Sequence, residues 1–232
     1  MADSLKVEPK KFFMSLRDIA FWIRSAQTDA AFEKLRKQRG AQEAFDLLYA
    51  QTSDPFGSTQ RRWRYQSLKY ERLLSFLPKR AYHSALDVGC GLGPFTRRLS
   101  VYADQVLGVD FSGVAVEQAR TLSVSQPNVR YEQGDVHNIQ QIDARFDLIT
   151  VLDVLYYLSP LSDELLKSIA SQMEKLLVPG GLVLLVNHFF FNFDPQSRET
   201  RRIHRAFSQA AGLRIVSEHQ RPFFLATVFT TA

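Results

Sequence analysis

The sequence contains one cysteine, Cys90, in 232 residues, which excludes an intramolecular disulfide and any multi-cysteine zinc site. No apolar run reaches the roughly 18 residues that a membrane-spanning helix needs. The first residues, MADSLKVEPKK, lack the apolar stretch of a signal peptide, so we expect a cytoplasmic protein. The composition, 45% hydrophobic and 23% charged, is close to globular averages and argues against disorder.

Several motifs for nucleotides, metals and nucleic acids are also missing. A dinucleotide fingerprint, G-x-G-x-x-G, fails because reading from Gly89 places Pro94 at the last position, and reading from Gly91 places Thr96 there. No P-loop and no H-E-x-x-H zinc motif occur, and we expect no metal. No Asn-Pro-Pro-Tyr or Asp-Pro-Pro-Tyr string is present, which argues against an enzyme that acts on nucleic-acid bases.

The positive charge is concentrated in the first third of the chain. Residues 1–83 hold 16 Lys and Arg against 9 Asp and Glu, whereas residues 84–232 hold 13 against 15. A nucleic-acid enzyme more often carries its basic surface at the catalytic site. We therefore interpret the excess as a solvated helical face, with attraction of an anionic substrate or surface as the alternative.

The first third of the chain is predicted to be helical. Apolar residues recur at spacings of three and four from Lys11 to Tyr49, with breaks expected at Thr28-Asp29 and at Gly40. A further helix is expected over residues 62–77, ending at Pro78. We divide the chain into a helical extension (1–53), a loop and helix that cover the site (54–83) and the main domain (84–232). The extension is a candidate lid or homodimer interface.

After His83 the pattern changes to short apolar runs that alternate with amphipathic stretches. This alternation predicts an α/β fold with a doubly wound, mostly parallel, seven-stranded sheet of the Rossmann-like type. Pro179-Gly180-Gly181 predicts a turn before the fifth strand. A turn at Arg221-Pro222 predicts that the last strand is antiparallel.

The most informative segment is Leu86-Asp87-Val88-Gly89-Cys90-Gly91-Leu92-Gly93, an apolar strand that runs into three glycines at alternating positions. Glycine is needed where backbone turns sharply or where a ligand approaches it closely. Two further strands end in carboxylates, Asp110 and Asp135. Carboxylates at strand ends can accept hydrogen bonds from both hydroxyls of a ribose.

The string D-x-G-x-G-x-G resembles the first motif of class I S-adenosylmethionine (SAM)-dependent methyltransferases, and the later strands resemble further motifs of that superfamily. The resemblance covers residues 84–230 and implies SAM as the cofactor and S-adenosylhomocysteine (SAH) as its product. It implies that Asp110 holds the ribose, that Phe111 lies along the adenine, and that Asp135 and the Val136 amide bind the adenine edge. The implied cofactor residues are Asp87, Gly89, Cys90, Gly91, Gly93, Asp110, Phe111, Asp135, Val136, Leu152 and Tyr157.

The methyl acceptor is expected at the ends of the fourth and fifth strands. Methyl transfer requires a base where the acceptor arrives protonated, and His188 is our candidate because histidine is a common general base in enzymes. Asp153 and Tyr156 complete the candidate catalytic set. Trp63, Tyr65, Asn187 and Phe189 are candidates for a substrate wall or lid, with plain core packing as the alternative.

Two features narrow the resemblance to NodS-like small-molecule N-methyltransferases. These are Asp54-Pro55-Phe56 before the first strand, with Phe56 where that group has Trp, and Val154 to Leu158 after the fourth strand. The resemblance implies a small-molecule acceptor, with an amine such as an amino sugar favoured. The alternative is an aromatic or lipid-like hydroxyl. A domain that binds SAM without turnover is the non-enzymatic alternative.

Overall fold

The computed structural model describes residues 16–59, 64–158, 161–190, 194–210 and 212–231. Seven strands and seven α-helices lie within these ranges. The strands are β1 (Tyr82–Val88), β2 (Ala103–Asp110), β3 (Val129–Gln133), β4 (Phe146–Leu152), β5 (Leu177–Phe189), β6 (Leu213–Arg221) and β7 (Phe223–Thr231). The α-helices are α1 (Leu16–Arg39), α2 (Ala41–Gln51), α3 (Arg64–Leu74), α4 (Thr96–Leu99), α5 (Gly113–Leu122), α6 (Asp163–Leu176) and α7 (Pro195–Ser208). Two short 3-10 helices span Val136–Gln141 and Leu155–Leu158.

The strands form one sheet in the order β3-β2-β1-β4-β5-β7-β6. The pairs among β1 to β5 are parallel, and β7 runs antiparallel to both β5 and β6. The predicted mostly parallel sheet with an antiparallel last strand is therefore confirmed. The chain moves outward in one direction from β1 to β3 and in the other from β4 to β5, so a switch point lies between β1 and β4. Open α/β sheets bind ligands at the carboxyl ends of the strands beside such a point.

Both faces of the sheet are covered by apolar side chains. The central strand β4 reads FDLITVL and is buried along most of its length, as expected for a parallel strand between two helical layers. Because side chains alternate along a strand, Ile149 and Val151 contribute to the core that includes α6 and α7. Leu148 contributes to the opposite core, which includes Leu73 of α3.

The N-terminal helices are attached to the main domain by hydrogen bonds. Asp46 on α2 accepts the hydroxyl of Ser112 at 2.5 Å, and Ser112 is the residue that caps α5. The side-chain amide of Gln118 on α5 donates to the carbonyl of Tyr49 at 3.0 Å. This docking places α2 beside the carboxyl end of β2, because α5 begins directly after that strand.

One predicted helix break is confirmed and the other is wrong. Gly40 separates α1 from α2 with a φ of +86°, a left-handed conformation that suits glycine. The break expected at Thr28-Asp29 does not occur, because α1 runs unbroken through both residues. Their side chains bond to distant parts of the chain instead of capping a helix. The Thr28 hydroxyl donates to the carbonyl of Pro55 at 2.8 Å, and Asp29 accepts the hydroxyl of Tyr157 at 2.7 Å.

Three other boundaries differ from the sequence expectations. The helix predicted over 62–77 ends at Leu74, and the helix after the glycine loop is a single turn. Pro179-Gly180-Gly181, predicted to form a turn before the fifth strand, lies inside β5 and makes that strand irregular. Phe146 pairs with Leu177, while Leu148 pairs with Leu182, so the intervening residues of β5 bulge out. None of the described helices has the length and apolarity needed to cross a bilayer.

Candidate active site

A cavity of about 390 Å³ lies at the carboxyl ends of β1 to β5 and is also lined by residues of α1, α2 and α3. Small-molecule sites are typically clefts of roughly 300–1,000 Å³. The cavity includes the switch point between β1 and β4, where the topology of the sheet predicts a ligand. Its wall has one half at the ends of β1 to β3 and another at the ends of β4 and β5.

The first half of the cavity is built on the glycine loop after β1. Gly89, Gly91 and Gly93 all have positive φ values, between +53° and +72°. At Gly91 an added Cβ atom would lie 2.9 Å from the hydroxyl of Tyr49 on α2. At Gly89 it would lie 2.1 Å from a methyl group of Val154. The loop is thus packed closely against Tyr49 and Val154. At Gly89 and Gly91 its backbone also lines the cavity.

Asp110 connects the end of β2 to this loop. One oxygen of its carboxylate, Oδ2, accepts the Gly91 backbone N–H at 2.7 Å, and Oδ1 accepts the Ser112 backbone N–H at 2.9 Å. Burial raises the pKa of the Asp110 carboxyl, and the two backbone donors oppose that shift. Each oxygen keeps a second lone-pair direction, so the carboxylate can accept further hydrogen bonds from a ligand.

Asp87 lies deeper, at the end of β1. Its two oxygens accept the hydroxyls of Thr96 and Thr150 at 2.6 and 2.7 Å. Burial raises the pKa of the Asp87 carboxyl to about 6, and the neighbouring charge of Asp110 contributes to the increase. A cation that binds in this half of the cavity would stabilise the ionised form of Asp87 and lower its pKa.

A third carboxylate, Asp135, follows β3. Its Oδ1 accepts the backbone N–H of His137 at 2.9 Å and lies 2.6 Å from the Nδ1 of the same histidine. Phe111 and Val136 line the same part of the cavity. The ends of β1, β2 and β3 thus present three carboxylates beside an apolar surface, which suits a ligand with both positive charge and an aromatic ring.

The second half of the cavity contains a buried ion pair. The ammonium of Lys69 on α3 contacts Oδ2 of Asp153, which directly follows β4. The Lys69 side chain is 3% exposed. Asp153 has a φ of +57°, which is uncommon for a residue with a side chain, and its backbone N–H donates to the carbonyl of Val186 at 2.8 Å. Both charged side chains line the cavity.

Aromatic side chains surround this pair. Tyr156 and His188 meet edge to face with ring centroids 4.5 Å apart, and the Nε2 of His188 lies 3.1 Å from the side-chain oxygen of Gln196. Burial raises the pKa of the Tyr156 phenol. The rings of Trp22 on α1 and Tyr65 on α3, with centroids 5.0 Å apart, form the other side of this half of the cavity. This half is therefore mainly aromatic, with one ion pair and one imidazole.

A family profile described as "Methyltransferase domain" matches residues 85–181, which include the glycine loop and the ends of β1 to β4. The chain is also 28% identical over 125 residues to Nodulation protein S of Rhizobium tropici, which covers 51% of each chain. It is 34% identical over 113 residues to trans-aconitate 2-methyltransferase of Deinococcus radiodurans, which covers 48% of this chain and 40% of that enzyme. The matches thus span about half the length of these curated relatives.

The fold is also that of a solved methyltransferase. The N-methyltransferase NodS from Bradyrhizobium japonicum, solved in complex with SAH, superposes with a TM-score of 0.68 at 20% identity. The superposition covers 82% of this chain and 97% of that one. Residues 85–181 thus match a methyltransferase domain, and the fold is that of class I SAM-dependent methyltransferases. The resemblance to NodS-like enzymes that the sequence predicts is confirmed at the level of the domain.

The residues of this methyltransferase domain fit its cofactor, SAM. SAM has a ribose diol, an adenine ring, a carboxylate and two positive charges, one on an ammonium and one on a sulfonium, so its net charge is positive. Asp110 has free acceptor positions for the diol, and Phe111 and Val136 offer apolar surface for the adenine. Asp87 and Asp135 supply negative charge along the loop of bare backbone. No part of this half of the cavity is occupied by a Lys or Arg side chain among the described residues that line it.

Most of the predicted site residues of the methyltransferase domain line this one cavity. From the catalytic and cofactor sets these are Asp87, Gly89, Cys90, Gly91, Asp110, Phe111, Asp135, Val136, Leu152, Asp153, Tyr156, Tyr157 and His188. Tyr65 of the predicted substrate wall lines it too, whereas Trp63 lies outside the described residues. Their individual roles stay predictions.

Three predicted residues do not line the cavity. Gly93 is buried, and a Cβ atom there would lie 2.1 Å from the hydroxyl of Tyr131, so this glycine makes room for packing instead. Asn187 and Phe189 are the direct neighbours of His188 on β5. Because adjacent side chains of a strand point to opposite faces, both are buried on the face of the sheet opposite to His188. Phe189 packs there under the guanidinium of Arg201, 4.7 Å from its ring centroid.

The sequence reasoning missed Lys69 and the aromatic side chains of α1 and α2. A signal for Lys69 was present, because it lies at four-residue spacing between Tyr65 and Leu73, on the apolar stripe of α3. A lysine at such a position is almost never buried unless it is paired. The contributions of Trp22 and Tyr49 had no local signal, since they depend on how the N-terminal helices dock.

Asp87 makes the stability of the domain depend on pH. Its carboxyl has a higher pKa in the folded protein than in the unfolded chain, so its contribution to stability is largest below about pH 4 and is lost as the pH rises through 6. Asp87→Asn removes this titration. We expect the variant to gain stability relative to wild type by up to roughly 3 kcal/mol between pH 4 and pH 7. Urea unfolding across this range measures the difference, and a difference that does not change with pH would contradict the assignment.

Proposed function

We propose that this protein is an enzyme that transfers a methyl group from SAM to a small-molecule acceptor and releases SAH. One observation carries the proposal. The three carboxylates and the bare glycine backbone share a single cavity with a second, aromatic half that has its own polar groups. A cofactor half joined to an acceptor half is the arrangement that methyl transfer between two bound molecules requires.

The first half of the cavity is assigned to the cofactor. Asp110 accepts hydrogen bonds from the ribose hydroxyls, Asp135 and the Val136 amide bind the adenine edge, and Phe111 packs on the ring. Asp87 contributes negative charge that favours the cationic form of the cofactor. When bound, SAM supplies a methyl group on a sulfonium, which is a good leaving group.

The second half positions the acceptor. Holding the nucleophile in line with the methyl group can lower the barrier by roughly 7–11 kcal/mol. The aromatic rings of Trp22 and Tyr65 exclude water and orient the acceptor, while His188 takes its proton where the nucleophile arrives protonated. Tyr156 holds the imidazole edge to face, and Asp153 orients the nucleophile.

An amine, such as that of an amino sugar, is our first candidate acceptor. The similarity to Nodulation protein S and to a structure described as an N-methyltransferase supports it. A hydroxyl of an aromatic or lipid-like compound is the second candidate. It is favoured by the aromatic lining and by the pairing of Asp153 with Lys69, which leaves the acceptor half without a free carboxylate charge. Association of two copies through residues 1–53 and a cytoplasmic location stay predictions.

Asp110→Ala tests the cofactor half. Loss of the charged hydrogen bonds to the ribose should weaken SAH binding by about 1.5–3 kcal/mol, which is roughly 10- to 150-fold. Isothermal titration calorimetry measures the affinity. Asp104→Ala is the matched control, because Asp104 lies on the same strand at its exposed end and should leave affinity unchanged. Equal SAH affinity in the two variants would remove Asp110 from the cofactor site.

The class of acceptor is tested by turnover with SAM that carries a labelled methyl group. Wild-type protein is incubated with matched amines and hydroxyl compounds, including amino sugars and phenols. We expect the label to appear in at least one small molecule, with amines preferred. Transfer to phenols alone would reject the amine, and absence of transfer to either class together with normal SAH binding would support the non-enzymatic alternative.

His188→Gln tests the base. Glutamine keeps a polar side chain of similar reach but cannot accept and release a proton. With an acceptor that arrives protonated, we expect kcat to fall by about 10²–10⁴-fold while SAH affinity stays constant. An unaltered kcat would show that His188 only shapes the pocket.

A further inference from the structure

Among the described residues that line the cavity, Lys69 and Asp153 form the one pair of a lysine with a carboxylate. Removing two charges from water costs several kcal/mol per ion, and apolar residues of similar size often serve a fold equally well. Lys69 lies on the apolar stripe of α3, where Tyr65 and Leu73 are buried. Its ammonium lies 5.8 Å from the ring centroid of Phe224. Packing of α3 therefore does not call for a charge at this position.

Asp153 is only partly satisfied by this pairing. Lys69 engages Oδ2, whereas the other carboxylate oxygen, Oδ1, is buried without a hydrogen-bond partner in the part of the chain that the structure describes. A buried acceptor without a donor destabilises the folded protein. The side chain lines the cavity, and a proton donor on a bound molecule would remove this cost.

The charges around the acceptor half come from few groups. Among the described residues that line it, the charged side chains are those of Lys69 and Asp153. His188 supplies an imidazole. Asp29 lies nearby on α1, but it does not line the cavity and accepts the hydroxyl of Tyr157. The Lys69–Asp153 pair has no net charge, so it leaves the wall of the acceptor half close to neutral.

We propose that Lys69 and Asp153 form a specificity-determining pair that selects acceptors whose nucleophilic group is uncharged when it binds. Such a group is a hydroxyl or a neutral aryl amine, and it donates its hydrogen to Oδ1 of Asp153. Lys69 pairs with Oδ2 of Asp153 and cancels the attraction that the carboxylate alone would exert on an alkylammonium. The inference rests on the proposed function and, among its candidate acceptors, favours the hydroxyl over the alkyl amine of an amino sugar.

The test is a charge cycle on the full-length protein saturated with SAH, which has no sulfonium charge. The proteins are wild type, Lys69→Met, Asp153→Asn and the double variant. The probes are benzyl alcohol, benzylamine and benzoate, which share one ring and are neutral, cationic and anionic at pH 7. Ligand-observed NMR titration measures the affinity of each probe, and the affinities of the charged probes are divided by that of benzyl alcohol.

We expect each single variant to change the selectivity in its own direction. Lys69→Met exposes the carboxylate and should raise the benzylamine ratio by about tenfold or more, while Asp153→Asn exposes the ammonium and should raise the benzoate ratio similarly. The double variant should return both ratios to near the wild-type values. Charge ratios that are equal in all four proteins would overturn the proposal, because a merely structural pair would not move them.

Folding of the variants is monitored separately. Lys69→Met leaves a buried carboxylate unpaired and is the variant most at risk of unfolding. Asp153→Asn keeps a residue that tolerates a φ of +57°, so this variant and the double variant test the proposal independently. SAH affinity reports an intact cofactor half in every protein. Failure of wild type to bind SAH would refute the proposed function, whereas normal SAH binding with unchanged charge ratios would refute this inference alone.

Discussion

The site depends on one carboxylate that joins two strand ends. Asp110 accepts a backbone N–H from Gly91, in the loop after β1, and another from Ser112, at the start of α5. These bonds hold the glycine loop against the end of β2 and fix where its bare backbone faces. The same Ser112 donates its hydroxyl to Asp46 of α2, so the N-terminal helices are tied to the same point. The position of the glycine loop and the docking of the N-terminal helices over the cavity therefore both depend on the segment from Asp110 to Ser112.

The two halves of the cavity differ in how they carry charge. Asp87, Asp110 and Asp135 leave the cofactor half negative, which suits a ligand with two positive charges. In the acceptor half the charge of Asp153 is cancelled by Lys69. This difference allows the two ligands of a transfer reaction to be told apart by charge, as well as by shape, before any chemistry occurs.

The sequence alone predicted the sheet, its antiparallel last strand and most residues of the cofactor half, because these depend on local patterns such as alternating apolar runs and strand-end acids. It failed where long-range contacts decide the outcome. Thr28 and Asp29 look like a helix break, yet their side chains bond to Pro55 and Tyr157 and the helix continues. Asn187 was assigned to the pocket by its proximity to His188, although adjacent residues of a strand face opposite sides. Lys69 lines the cavity because of how α3 docks on the sheet, and this docking cannot be predicted from the sequence of α3 alone.

The central claim is that the cavity at the ends of β1 to β3 binds the nucleoside of SAM. A crystal structure of the protein grown with SAH measures this most directly. The account predicts the ribose hydroxyls within hydrogen-bond distance of Asp110, the adenine beside Phe111 and Asp135, and the sulfur directed toward Asp153 and His188. A nucleoside bound elsewhere, or one whose ribose makes no contact with Asp110, would contradict the account.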